Sequence, residues 1–270
     1  MKFKIIFLSF NILIVFSFLM IFLLPVFMLG EEYAQLFWQE SWYIAVIFIC
    51  ILVVINCLYF MNRKMITYLE NENWPELKQL LEYRIFTKKR LRKMNIRMYI
   101  STCIATRSIS DIKKLENTIR TEKTGDLNYW ALQLGLPHLL GNNPSEMKAY
   151  FGEFIGKAAR EEGWIKWNYC FALLLLKEND EAVEILKELA GQTQDLILRL
   201  SSLYMLSPFG GQEEIGALIE NGRNELKLKM PEQSLKDELD KRKDNVQMLF
   251  LSQIISQVSD WLYKEADEKV

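Results

Sequence analysis

Hydrophobic positions in this chain follow two different patterns. From Ile5 to Leu29, and again from Ser41 to Asn62, no residue is charged and no polar face recurs. Each stretch exceeds the roughly 20 residues that cross a hydrocarbon core of about 30 Å. A helix satisfies its own backbone hydrogen bonds and so can sit in lipid. The pattern therefore predicts two membrane-spanning helices, at about residues 5–29 and 42–62. The first run is longer than the ~7–15 residues of a signal-peptide core, and "PVFMLGEE" lacks a small-x-small cleavage pattern, so it is read as a retained span. Two buried helices of a soluble core are the rival reading.

From Met65 onward charges are frequent and apolar residues recur at helical spacing. "NWPELKQLLEYRIF" predicts a helix with Asn73 as cap, Pro75 in the first turn and Leu77, Leu80, Leu81 and Ile85 as its stripe. The next helix, about Leu91 to Thr106, carries Met94, Met98, Ile100 and Ile104. Ser110 opens another, with Ile112, Leu115 and Ile119, and a further one holds Leu127, Trp130, Leu132 and Leu134. "GNNPSEMKAYFGEFIGKAAREEG" restarts at Pro144, with Ser145 as cap and Gly163 as terminator. "SPFGGQ" and "KMPEQS" read as breaks, and a last helix is expected over about Leu235 to Tyr263.

The segment "WIKWNYCFALLLLKENDEAVEILKELAG" decides the character of this region. Its apolar run, Tyr169 to Leu176, is about half a span and breaks at Lys177, Glu178, Asn179 and Asp180. A second helix follows, with Ala182, Val183, Leu186 and Leu189 inward and Gly191 as cap. The stretch is a helical hairpin. Over residues 164–191 it resembles a tetratricopeptide repeat, on Trp167, Tyr169, the small Ala172, the turn "KENDEAVEILKEL" and Ala182. The turn is about one residue shorter than the family pattern, and no proline closes the repeat. The resemblance implies stacked helix pairs, each burying a face its neighbour exposes.

The expected fold is all-α: two N-terminal transmembrane helices, then a cytoplasmic α-solenoid of tetratricopeptide-like hairpins with a long C-terminal helix. Its domains are a membrane hairpin (1–64), a repeat domain (65–206) and a C-terminal helical cap (207–270). Lys2 and Lys4 precede the first span, and Arg63 and Lys64 follow the second. The connection "EEYAQLFWQES" is acidic, with Tyr33, Trp38, Trp42 and Tyr43 suited to an interfacial belt. Both termini are thus expected on the cytoplasmic side of an inner membrane. Asn11 and Asn56 can join either the two spans or two copies of the chain.

Charge is unevenly spread. Residues 74–123 contain 13 basic and 5 acidic side chains, whereas residues 124–270 contain 16 and 24. The basic excess centres on Lys88, Lys89, Arg90, Arg92, Lys93 and Arg97 in "KKRLRKMNIR". That cluster can face anionic lipid headgroups or be an ordinary solvated surface. Nucleic acid is not expected, because aromatic interleaving and a known module are both missing.

No reaction is legible. His138 is the single histidine, and no G-x-S-x-G elbow occurs. "GEFIGKA" is one residue short of a phosphate loop and has Ala158 in the hydroxyl position. Gly152, Gly156 and Ala159 read instead as a small face for close packing. Cys50, Cys57, Cys103 and Cys170 show no C-x-x-C spacing. No catalytic residue, cofactor or metal is assigned. The expected function is a non-enzymatic, membrane-anchored scaffold with a protein or peptide partner. The alternatives are an accessory subunit of a transport or secretion complex, or a membrane enzyme.

Overall fold

A computed structural model describes residues 3–122, 124–157, 161–242 and 255–263. Among these residues every regular element is helical. The chain divides into two compact units, Met1–Thr106 and Arg107–Val270.

In the first unit, α1 (Phe3–Leu29) and α2 (Glu31–Glu70) pack as an antiparallel hairpin. Gly30 alone makes the turn, at φ +83°, a left-handed conformation that costs glycine nothing. The connection expected as a loop is helical instead. It carries Glu32 in its first turn, where a carboxylate suits the positive end of the helix dipole, and bends at Ser41. Asn56 Nδ2 donates to Asn11 Oδ1 at 2.8 Å, so these residues join the two helices of one chain. Phe7 stacks on Tyr59 at 3.9 Å, and Phe18 meets Phe48. Around this seam Leu8, Phe16, Val54 and Leu58 are exposed.

Helix α2 continues beyond its apolar stretch and ends in a hydrogen-bonded reversal. Glu72, at φ +50°, donates to the Leu69 carbonyl, and the Asn73 N–H donates to that of Tyr68. The chain then folds back along α2 as α3 (Trp74–Glu82) and a five-residue π turn, Tyr83–Thr87. Asn73 holds the expected cap position, but its side chain makes no cap hydrogen bond. Helix α4 (Lys93–Ala105) returns against α3, burying Ile96, Tyr99, Ile100 and Cys103. Met94 was expected on that stripe. It is exposed, because the buried row runs through Ile96 and Tyr99 and so turns Met94 outward.

The second unit runs α5 (Ser110–Glu122), α6 (Thr124–Leu134), the short α7 (Leu136–Leu139), α8 (Pro144–Phe154), α9 (Glu162–Leu175), α10 (Asn179–Gln192) and α11 (Leu196–Leu206). A 3-10 turn leads to α12 (Glu213–Lys229), α13 (Glu232–Lys241) and α14 (Ile255–Tyr263). From α8 to α12 each helix packs on its sequence neighbour, and α9 also touches α11, as α10 touches α12. Trp167, Phe151, Phe154, Leu173, Leu186 and Leu200 form a continuous core.

Several local expectations change. Asn143, not Ser145, caps α8, accepting from Glu146 N at 3.2 Å. The helix stops at Phe154, because Gly156 turns at φ +75°. Gly156 is therefore a turn residue and not part of a packing face. Gly152 does fit one: a Cβ there would lie 3.1 Å from the Tyr169 ring. Ala158 and Ala159 lie outside the described residues. Gly163 lies inside α9, where a Cβ would come within 2.5 Å of Leu198, so its small size sets the approach of α9 to α11. Gly191 also lies inside its helix, and Thr193 takes the cap position.

The α9–α10 reversal is closed by Lys177 at φ +63°, with Glu178 N–H donating to the Leu173 carbonyl and Lys177 N–H to that of Leu174. The apolar run from Tyr169 is thus the end of a helix that buries Cys170, Ala172 and Leu173 and leaves Leu175 exposed. The expected C-terminal helix is interrupted: α13 ends at Lys241, and Val246, Leu249, Phe250 and Ile254 fall outside the described residues. Helix α14 buries Val258 and Leu262 against α11 and α12, with Trp261 edge-on to Tyr204 and beneath Arg223.

Candidate functional site

The basic cluster sits at the tip of the α3–α4 hairpin. Lys88, Lys89, Arg90, Arg92, Lys93 and Arg97 are all exposed. Leu91 is buried beneath them, and Asn95 Nδ2 donates to the Arg90 carbonyl at 2.9 Å, which ties the turn down. Lys88 Nζ lies 5.5 Å from the centre of the Tyr83 ring. Arg84, one turn earlier, reaches across to α2. Its Nη2 lies 3.4 Å from the Met61 carbonyl and its Nη1 lies 3.5 Å from Asn62 Oδ1. Burial, then the charges of Arg90 and Arg92, lower its pKa, which marks a concentrated positive field.

A second polar centre joins α5, α7 and α8 around His138. The buried Glu116 accepts from Arg120 Nε at 2.8 Å and lies 3.3 Å from His138 Nε2. Arg120 also forks onto Glu153 at 2.8 and 2.9 Å. The His138 ring stacks on Tyr150 at 4.3 Å, and Tyr150 donates to the Ala131 carbonyl. His138 Nδ1 is buried and unpaired, with Glu146 Oε2 3.9 Å away. Burial opposes ionisation of Glu116, but the hydrogen bonds from His138 and Arg120 outweigh it and lower its pKa. Chemically this is an enclosed brace: a carboxylate held between two cationic or donating partners on separate helices.

A third feature is an open cleft of about 410 Å³ between the starts of α9 and α11 and the end of α13. Asp195 organises its floor. It caps α11 through Ile197 N at 3.1 Å, pairs with Arg242 at 2.7 Å and accepts from Trp164 Nε1 at 3.2 Å. Glu161 and Glu162 stand at its rim. Glu161 is left-handed at φ +62° and accepts from Gln133. Asp195 was not singled out from the sequence, although an aspartate directly ahead of "LILRL" is a helix-cap signal. Arg242, 47 positions away, carries no sequence signal for this pairing.

Cys103 and Cys170 are buried, and burial pushes the Cys170 thiol up to about 12. Among the described residues, no group of three or more His, Cys, Asp or Glu side chains is arranged to hold a metal.

These features define an all-helical protein with two long apolar helices ahead of a packed helical unit. The chain matches, over residues 111–264, the family described as "Uncharacterised Treponema protein", and it belongs to that family. The match falls within the second unit. An uncharacterized protein of Treponema pallidum (strain Nichols) is 26% identical over 161 residues, covering 60% of this chain and 51% of that protein. The chain thus spans about half the length of this relative. No solved structure matches the chain.

Proposed function

We propose that this chain is a membrane-anchored helical-repeat scaffold that presents its second unit to a protein or peptide partner at the cytoplasmic face. The observation that carries this reading is the outer surface of the α1–α2 hairpin. Its side chains are almost wholly apolar and remain exposed after the two helices pack. In water such a surface far exceeds the few hundred Å² a soluble monomer tolerates, whereas lipid solvates it at no cost. The hairpin is also charged toward its ends alone. The Phe7–Tyr59 and Asn11–Asn56 contacts place Lys4 level with Arg63 and Lys64, opposite the end that carries Glu32 and Glu40. By the positive-inside rule that asymmetry supports a cytoplasmic position for α3 and α4.

The repeat reading rests on the packing of α8 to α12 and on its period. From Glu162, where α9 begins, to Leu196, where α11 begins, is 34 positions, the length of a tetratricopeptide repeat. Stacked pairs give extended surfaces that suit peptides. The cleft beside Trp164, with Glu161 and Glu162 on its rim, favours a basic segment.

Alkaline carbonate washing of membranes, followed by photo-crosslinking from Trp164 neighbours in the intact protein, tests both halves. Retention in the bilayer and a discrete crosslinked partner are expected. Release by carbonate sinks the anchor, and a full-length protein that crosslinks to nothing sinks the scaffold.

A further inference from the structure

The fold brings the basic hairpin tip back to the place where the apolar part of α2 ends. Helix α2 leaves its uncharged stretch at Asn62 and continues to Glu70. The chain then reverses, and α3 with its π turn runs down the same side. The return leg from Trp74 to Thr87 is longer than the outward leg from Asn62 to Glu70. At about 1.5 Å per residue it regains all the height α2 had gained. Arg84 records the level directly, since its guanidinium reaches the Met61 carbonyl at 3.4 Å. Lys88 and Lys89 follow within one turn. Between Glu82 and Asp111 there is no acidic residue. Tyr83 is exposed beside Lys88, as an interfacial aromatic would be.

We propose that Arg84, Lys88, Lys89 and Arg90, together with Arg63 and Lys64 of α2, form a binding site for anionic phospholipid headgroups of the membrane that holds the hairpin. The site rests on the anchored reading above and goes beyond it by naming a ligand. Guanidinium and ammonium groups at headgroup depth meet lipid phosphates within a Debye length, about 8 Å at physiological salt. Arg97 lies a turn along α4 and adds to the field. The lipid contact would fix the height of α3 and α4 above the bilayer.

The test uses the full-length protein in nanodiscs of phosphatidylcholine with a minor fraction of phosphatidylglycerol. Lipid retained on the protein is measured by native mass spectrometry. Wild type and a control in the second unit, Lys227→Gln/Lys229→Gln, are expected to retain phosphatidylglycerol above its bulk share. Lys88→Gln/Lys89→Gln/Arg90→Gln should lose that preference, by up to roughly fivefold per charge removed. Should that variant misfold, the wild type still decides, because its preference must collapse in 1 M salt, where the Debye length is about 3 Å. Retention of phosphatidylglycerol by wild type at no more than its bulk share, or a preference that survives both the substitution and high salt, overturns the site while leaving the anchor intact. RNA held through the same residues with no lipid preference overturns it in favour of nucleic acid. Release of the wild type by carbonate removes anchor and site together.

Discussion

Glu116 shows how one side chain organises several helices. It lies on the buried stripe of α5 with Ile112, Leu115 and Ile119, where a carboxylate is costly unless paired. Arg120 and His138 supply that pairing, while Glu153, Glu146 and Lys113 complete the surrounding charges and the neutral Tyr150 ring stacks on His138. Because its pKa is lowered in the fold, Glu116 contributes its full stability above the ordinary carboxylate range. That contribution is lost as pH falls through the lowered folded value. Glu116→Gln should cost about 2 kcal/mol at neutral pH. The gap to wild type should close in acid, read by urea unfolding at several pH values; a pH-independent gap would count against the pairing. Cys170 gives a second residue-scale prediction. With its thiol pushed up to about 12 and no exposure, it should resist maleimide at neutral pH until the unit unfolds. Rapid labelling of the native protein would contradict that burial.

At the scale of elements, the reversals carry the information. Among the non-glycine residues in left-handed conformation, Glu72 and Lys177 each close a helix end. Each satisfies the last carbonyls of its helix but bears the steric cost of a Cβ there. Lys177→Gly should therefore stabilise the α9–α10 hairpin by up to about 1 kcal/mol, seen as a higher melting temperature. A loss would mean that the lysine stem contributes more than its backbone costs. These reversals also show what pattern reading captures and what it omits. The break at Lys177 to Asp180 was plain, because charges interrupt an apolar run. The roles of Gly156, Gly163 and Gly191 were not. A glycine's place depends on whether φ turns positive, as at Gly156, or whether a neighbour crowds it, as Leu198 does at Gly163. Neither is encoded in nearby sequence.

For the whole molecule, the division at Thr106 and Arg107 makes a physical prediction. Trp167, Phe151 and Leu200 are buried within helices of the second unit, and α14 packs on α11 and α12 of the same unit, burying Val258 and Leu262. Residues 107–270 expressed alone should give a helical circular dichroism spectrum and one cooperative melt. Removal of the Trp261 ring by Trp261→Ala should cost about 3 kcal/mol in that transition. A non-cooperative melt of the isolated segment would show that it depends on the first unit.

Sequence alone determined the helical character of the chain, the two long apolar helices, the hairpin at residues 164–191 and the concentration of basic charge between Lys88 and Arg97. All of these are read over a few turns of one helix, where periodicity and charge are local. Only the tertiary structure decided that Asn11 meets Asn56, that His138 and Arg120 share Glu116, that Asp195 draws in Trp164 and Arg242, and that the basic tip returns to the level of Met61. Apart from the Arg120–Glu116 pair, which is four positions apart on one helix, each of these joins residues far apart along the chain. Which side chains meet then depends on where each helix stops and how closely the next can approach, and glycine placement, caps and reversals set both.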